Sequence, residues 1–357
     1  MSLKDLYFAP IFLTLLDWYF YLLTGIPSFL LIIACILNLN SPLNYKYFFA
    51  FSFIFFITII YLVLRGRFDE GFYSYVKSIL NYSLVFYYSF GLISYFKHKG
   101  TSTFFWFNKY LLSINIIIYL AYVIFDFHNE VLFQRSYTGN FDRLKFPFLE
   151  PSFLSIYCGI LYFAYKNERK SNAFLFWIIV INGVLSQSPA FILLAVLSEI
   201  LFLNRSSFRF EGFLIFGLIG FFSMAYVVPR LINIYYEGYD FGGGMERVSS
   251  ISASWELFQK EGYLGLGIGQ NYLWMEDYYQ DQWKTLLDVK TNGDSFILTL
   301  ANELGLFLLI IFTYFLSQLM TIRALAILVI IGFLTGYFAD PKVSLIIAFG
   351  HFYKIKI

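Results

Sequence analysis

One segment gathers the residue types that can bind and transfer a charged group. Gly242-Gly243-Gly244-Met245-Glu246-Arg247 leads into a short amphipathic stretch, then Gly262-Tyr263-Leu264-Gly265-Leu266-Gly267-Ile268-Gly269, and later Asp294 opens an apolar run. A guanidinium grips phosphate oxygens through two parallel N–H bonds. A helix N-terminus adds unpaired N–H groups and the positive end of its dipole. Arg247, just before a helix and after three glycines, therefore reads as part of a phosphate site. A snorkelling or loop-capping arginine beside a flexible hinge would leave the same letters.

A second cluster runs Arg143, Lys145 and then Phe146-Pro147-Phe148-Leu149-Glu150-Pro151-Ser152. Pro151 suits the first turn of a helix, where its missing N–H costs nothing. Glu150 then stands at a helix start, either as a functional carboxylate or as an acid favoured by the dipole. Asp294 has the same two readings, since an aspartate there can cap the helix by accepting N–H bonds. Nine residues further, Glu303 lies roughly 13 Å along that helix. An ionisable group inside a membrane helix costs about 2.5–3.5 kcal/mol and faces the protein interior; Asp17 raises the same question. Arg65 and Arg67 flank Gly66 at a helix end. They either join Arg143 and Arg247 around a diphosphate or pair with Asp69 and Glu70 in water, where such pairs contribute about 0–1 kcal/mol.

Absences narrow the chemistry. The chain has no Asp-x-Asp motif and no Gly-x-x-x-x-Gly-Lys phosphate loop, and His98, His128 and His351 stand apart from other metal-ligand types. The Gly265-Leu-Gly267-Ile-Gly269 alternation lacks the strand that a dinucleotide fingerprint requires. Cys35 and Cys158 both sit in apolar runs, so neither a disulfide framework nor a cysteine metal site is indicated. A metal-free reaction without a cofactor is the expectation.

The elements that must position these residues are membrane helices. Hydrophobic residues make up 59% of the 357 and charged residues 13%, with mean hydropathy +0.67, far from the soluble balance of roughly 25% charged. Net charge of +2 carries no basic face for nucleic acid. The 46 Phe and 30 Tyr suit carbohydrate stacking, and equally an AT-rich genome encoding a membrane protein. With about 20 apolar residues per crossing, spans are expected near 6–23, 27–40, 47–64, 77–96, 104–125, 151–166, 173–187, 189–203, 212–229, 294–318, 322–339 and 343–353. The fold class is thus an all-α polytopic membrane protein of about twelve transmembrane helices, forming a single integral domain over 1–357.

Orientation follows from lysine and arginine in short loops. With the N-terminus cytoplasmic, Lys46, Lys97-His98-Lys99, Lys166 with Arg169-Lys170, Arg205 with Arg209, Arg323, Lys354 and Lys356 all fall inside. The stretch 65–75 is the exception. Both termini are then cytoplasmic, and the two long loops, 126–150 and 230–293, are external. Loops of this length are usually functional or disordered. The longer one, between spans 9 and 10, holds Val248, Ile251, Trp255 and Phe258 at helical spacing, an amphipathic helix suited to the membrane interface.

Together these stretches resemble the O-antigen polymerase and ligase group of bacterial inner-membrane glycosyltransferases, especially the Wzy-type polymerases. The resemblance rests on Arg143 to Ser152, on Leu185-Ser-Gln-Ser-Pro-Ala190, on Arg247 to Gln270 with its central tryptophan and Gly-x-Gly-x-Gly, and on Asp294 to Gly305. It implies transfer of a glycan from undecaprenyl pyrophosphate to a hydroxyl of another lipid-linked repeat at the periplasmic face. It also implies a chain-length regulator as partner. Arginines Arg65, Arg67, Arg143 and Arg247 would hold the pyrophosphate. Trp255 with the loop of Gly267 and Gly269 would cover the sugars, and the lipid tail would lie between spans in the bilayer. Related ligases often carry His-Asn where this chain has Asp294-Ser295, which disfavours the ligase and leaves the base open between Asp294 and Glu150. Pro189 stands where relatives often have arginine. A flippase for the same lipid-linked repeat is the main rival, and an acyltransferase would need a histidine such as His128.

The charge pattern makes a direct prediction: a periplasm-active reporter fused near residue 270 is active and one near residue 168 inactive. Activity at 168 would reverse the orientation.

Overall fold

The computed structural model of the chain describes residues 45–66, 68–125, 129, 132–134, 142–146, 148, 151–168, 172–202, 217, 244–275, 278, 295–336 and 340–356. These residues are mostly helical. In chain order they form α1 (Tyr45–Ile57), α2 (Ile59–Leu64), α3 (Phe68–Lys99), α4 (Ser102–Phe125), β1 (Phe133–Gln134), β2 (Arg143–Leu144), α5 (Pro151–Asn167), α6 (Ala173–Leu185) and α7 (Pro189–Leu201). There follow α8 (Gly244–Leu257), a π turn (Phe258–Gly262), α9 (Asn271–Met275), α10 (Phe296–Leu319), α11 (Ile322–Leu334) and α12 (Pro341–Lys356). Two helices, α4 and α10, are long and apolar enough to cross a membrane, while α6, α7 and α11 are apolar but shorter. Helices stand at each expected span that falls within the described residues; the expected spans 6–23 and 27–40, and 212–229 apart from Gly217, lie outside them.

The chain divides into two compact units, Met1–Leu30 with Tyr95–Gly242 and Leu31–Ser94 with Gly243–Ile357. In the first, local chemistry sets the helix ends. Pro151 opens α5 as its sequence position predicts. Asn172 caps α6 by accepting from Leu175 N at 3.2 Å. Ser188 caps α7 with Pro189 at its start, after Gln187 turns the chain at φ 47°. Helix α5 is buried almost throughout from Leu154 to Tyr165, so it forms the core of this unit. Gly159 permits the close crossing of α5 and α7, since a Cβ there would come within 2.6 Å of Leu194. Polar residues inside these helices find partners: Tyr157 donates to Asn108 Oδ1 at 2.6 Å, and Asn182 Nδ2 donates to Leu112 O at 3.0 Å. Lys166 of α5 meets Glu199 Oε1 of α7 at 2.8 Å, with the two side chains 6% and 1% exposed, and the Tyr162 hydroxyl donates to the same oxygen.

The second unit is organised around α10. An aromatic layer joins it to α1 and α3: Phe51 stacks on Phe86 with centroids 3.9 Å apart, and Phe312 meets Phe51 edge-on at 5.3 Å. At the start of α10, Ser295 caps the helix, accepting from Leu298 N at 3.4 Å and donating to Gly332 O of α11 at 3.0 Å. Thr321 caps α11 through Ala324 N at 3.3 Å, and its own N–H reaches Gly350 O of α12 at 3.1 Å.

The buried Lys166–Glu199 pair yields a stability prediction. Removing one partner leaves an uncompensated buried charge, which costs about 3–5 kcal/mol. Lys166→Met is therefore expected to lower the melting temperature of the purified protein markedly, and Lys166→Met combined with Glu199→Leu to restore much of the loss. A double variant no better than the single one would show that the charge is not what the lysine serves.

Candidate functional site

The polar centre of the second unit grows from a break in α10. Gly305 has φ 69° and ψ 168°, a backbone region reserved for glycine. The break takes residues out of the helical ladder and leaves backbone groups that must find other partners. Leu306 N donates to Tyr263 O at 3.0 Å, while Asn302 O and Glu303 O accept from Leu266 N at 2.9 Å and Gly267 N at 3.0 Å. The glycine-rich segment is thus hydrogen-bonded onto the broken helix.

Five N–H groups of this segment find acceptors among the described residues. Gly265 donates to Gly262 O, Leu266 to Asn302 O, Gly267 to Glu303 O and Gln270 to Gly267 O. Ile268 N reaches Thr58 Oγ1 at 3.3 Å. Gly265, Gly267 and Gly269 have φ of 90°, 97° and 75°, and the space around them is closed as well. A Cβ on Gly269 would lie 2.6 Å from Ser74 O, and one on Gly265 would lie 2.7 Å from the Tyr61 ring.

Side chains complete the centre. Glu303, 1% exposed, accepts from the Tyr82 hydroxyl at 3.1 Å. Asn302 Nδ2 donates to Ser254 O in α8 at 3.2 Å and to Asn271 Oδ1 at 2.8 Å. Gln270 Nε2 reaches Gly71 O at 2.9 Å, and Ser74 Oγ reaches Gly269 O at 2.9 Å. Arg65 grips Glu261 twice, through Oε2 at 2.6 Å and the main-chain carbonyl at 2.8 Å, with its guanidinium 5.5 Å from the Trp274 ring centroid. Glu261 lies in the π turn, a widened turn of a kind that recurs near functional sites.

The sequence-predicted residues fall as follows. Glu150, Asp294 and Arg67 lie outside the described residues. Arg143, in the first unit, pairs on β2 with Gln134 and donates from Nε to Ser186 O at 3.3 Å. Arg65 meets Glu261, while the side chains of Asp69 and Glu70 lie outside the described ones. Arg247 stands inside the first turn of α8, which begins at Gly244 and not after the arginine; its side chain is outside the description. The N-cap of α10 is Ser295.

Helix α8 is present. Ser250, Ala253, Ser254 and Leu257 are buried, as is Phe258 just after it, and Trp255 is 51% exposed. On the buried side Asn302 Nδ2 reaches the Ser254 carbonyl, and Ala253 and Leu257 pack with Leu266 and Met275. Gly267 and Gly269, expected in a hinged cover, are buried in a packed segment. Sequence reasoning missed Tyr82, Glu261, Gln270, Asn271 and Asn302. The available signal was Asn302-Glu303 followed by Gly305 inside an apolar run.

Among the described residues no group of three or more His, Cys, Asp and Glu could hold a metal ion. No family model, curated protein or solved structure matches the chain.

The break itself can be tested. An alanine at 305 faces a backbone penalty of about 1–3 kcal/mol, and its Cβ would lie 2.6 Å from Gly265 N. At Gly66, φ is also positive but a Cβ meets nothing within 4 Å. Gly305→Ala should lower the melting temperature more than Gly66→Ala does. Equal losses would mean that the close approach of Gly265 does not matter.

Proposed function

We propose that this chain is a metal-independent membrane glycosyltransferase of O-antigen polymerase type, with about twelve spans and both termini cytoplasmic in a bacterial inner membrane. It extends a surface polysaccharide from undecaprenyl-pyrophosphate-linked repeats at the periplasmic face. The resemblance of the arginine, glycine and aspartate stretches supports the family. The observation that carries the reading is the docking of α8, which bears Arg247, and of the glycine segment onto α10, the helix that Asp294-Ser295 opens. Ser295 is the N-cap of that helix.

In this mechanism the acceptor hydroxyl oxygen bonds to the anomeric carbon of the donor glycan as the bond from that carbon to the pyrophosphate oxygen breaks. The hydroxyl proton passes to a carboxylate, Asp294 or Glu150, a contribution typically of about 10²–10⁴ in rate. The leaving pyrophosphate takes the electron pair, and arginines stabilise its charge in surroundings of low dielectric. Arg247 serves there, with Arg143 the candidate from the first unit.

A flippase is the second reading, because an interrupted membrane helix bearing a buried acid is a transporter feature. One observation favours the enzyme. The Asn302 and Glu303 carbonyls at the break are taken by Leu266 and Gly267 N–H groups, so the break is closed by the chain's own backbone rather than arranged around a cargo ion.

The test uses purified full-length protein with lipid-linked repeats. Asp294→Asn is expected to be expressed and folded but to lose about 10²-fold or more of its extension rate if that carboxylate is the base, and Glu150→Gln is read in the same way. Arg247→Lys and Arg143→Lys should lose most activity, because a point charge does not reproduce a bidentate fork. Extension at the unmutated rate by both amide variants removes these carboxylates from the mechanism. In cells, gene deletion should leave a core bearing one repeat; loss of every repeat would point to the flippase or the ligase.

A further inference from the structure

Helices α1 and α2 run on as one rod, because Thr58 between them keeps φ −64° and ψ −10°, inside the right-handed helical region. Along this rod Phe53, Phe56, Ile60, Val63 and Leu64 are exposed, at the three- and four-residue spacings that share one face. Charge bounds the face at both ends: Lys46 is exposed before it, and Arg65 follows it, bound to Glu261. From Lys46 to Arg65 the rise is about 29 Å, against about 30 Å for the hydrocarbon layer of a bilayer. The glycine segment meets the rod below its charged end. A Cβ on Gly265 would lie 2.7 Å from the Tyr61 ring and one on Gly267 3.3 Å from Thr58 O, and Ile268 N reaches Thr58 Oγ1 at 3.3 Å. Tyr61 and Thr58 precede Arg65 by about 6 and 10 Å along the axis. On its other side the segment is bonded to α10 at Asn302 and Glu303, just before an exposed apolar stripe of Leu306, Phe307 and Ile310. Leu264 lies between the two stripes, its main-chain carbon 2.6 Å from where a Cβ on Gly305 would stand, and it is 76% exposed. Within a few residues the loop surface changes from the pairs Glu256–Lys260 and Arg65–Glu261 to Tyr263 and Leu264.

We infer that the outer loop re-enters the bilayer: Tyr263–Ile268 dips below the headgroups, and Leu264 meets the acyl chains in line with the exposed stripes of the α1–α2 rod and of α10. This rests on the membrane reading and not on the polymerase chemistry. Irregular backbone is tolerated at that depth only where its polar groups are satisfied within the protein, and the N–H groups of Gly265, Leu266, Gly267 and Ile268 all have protein acceptors. Trp255 and Tyr263 are about half exposed and are joined through the Phe258 ring. They stand where the surface turns from charged to apolar, the interfacial level that aromatic rings with a polar edge prefer. The occupant of the patch is lipid rather than a partner protein, because the patch adjoins a face that charges bound at the spacing of a bilayer.

Spin labels on the full-length protein in phosphatidylcholine nanodiscs test the depth. In a background of Cys35→Ala and Cys158→Ala, labels are attached through Leu264→Cys, Ile60→Cys, Phe56→Cys and Lys260→Cys in turn. Their collisional relaxation is measured with oxygen, which concentrates in lipid, and with a water-soluble nickel chelate. Leu264→Cys should match Ile60→Cys, with oxygen the stronger relaxer, and the ratio should invert for Lys260→Cys. A label at 264 relaxed mainly by nickel, while those at 56 and 60 are relaxed by oxygen, overturns the re-entry and puts the segment above the membrane. Labels at 56 and 60 that are also relaxed mainly by nickel remove the membrane reading, and the inference with it. If the cysteine variants fail to accumulate, photoreactive benzoylphenylalanine replaces Leu264 or Phe56 in the chain with its native cysteines. A phospholipid adduct is then expected after irradiation at both positions; an adduct at 56 without one at 264 overturns the inference, and none at either removes the membrane reading.

Discussion

Backbone that leaves helical geometry in apolar surroundings survives only where each N–H and C=O finds another partner. The second unit is arranged around that requirement. The break at Gly305 exposes carbonyls of α10, and the glycine segment supplies the donors. The segment in turn has N–H groups of its own, among them that of Ile268, which Thr58 Oγ1 accepts. Each irregular stretch is satisfied by the other. Removing either would leave several buried polar groups unpaired at once, so the two form one cooperative element.

This reciprocity changes what the glycines mean. Alternating glycines in a long loop suggest a hinge. Their positive φ values and the closeness of Tyr61, Ser74 and Gly305 make them contact points where no side chain fits. The segment is held onto α10 by main-chain bonds from Leu266 to Asn302 O and from Gly267 to Glu303 O.

Charge placement follows the same logic in both units. Lys166 with Glu199, Lys342 with Asp340 and Arg65 with Glu261 are each paired within 2.8 Å. The first two pairs are buried; the third is partly exposed and bridges the end of α2 to the π turn. Arg65 makes that tie through both the carboxylate and the main-chain carbonyl of Glu261.

Much was legible in the sequence because it is local. Apolar runs of helical length foretold helices, Pro151 and Pro189 marked helix starts, and Ser186-Gln187-Ser188 marked a turn, since proline, glycine and small polar residues act on the backbone within a few positions of themselves. An acid at 303 had to face inward, because a membrane-length helix gives it no other tolerable surroundings. What it would face was not legible. Tyr82 lies 221 residues away, and its partnership depends on how α3 and α10 pack. The face of α8 that meets α10 was not legible for the same reason: Asn302 reaches the Ser254 carbonyl across 48 residues, a contact that the helical spacing of apolar residues does not give. Likewise, Arg65 carries nearby acids in sequence yet pairs with Glu261. Sequence alone determined which stretches are helical and where they end, through local backbone and burial preferences. Only the tertiary structure decided which polar groups meet, because those pairings are set by the packing of distant helices.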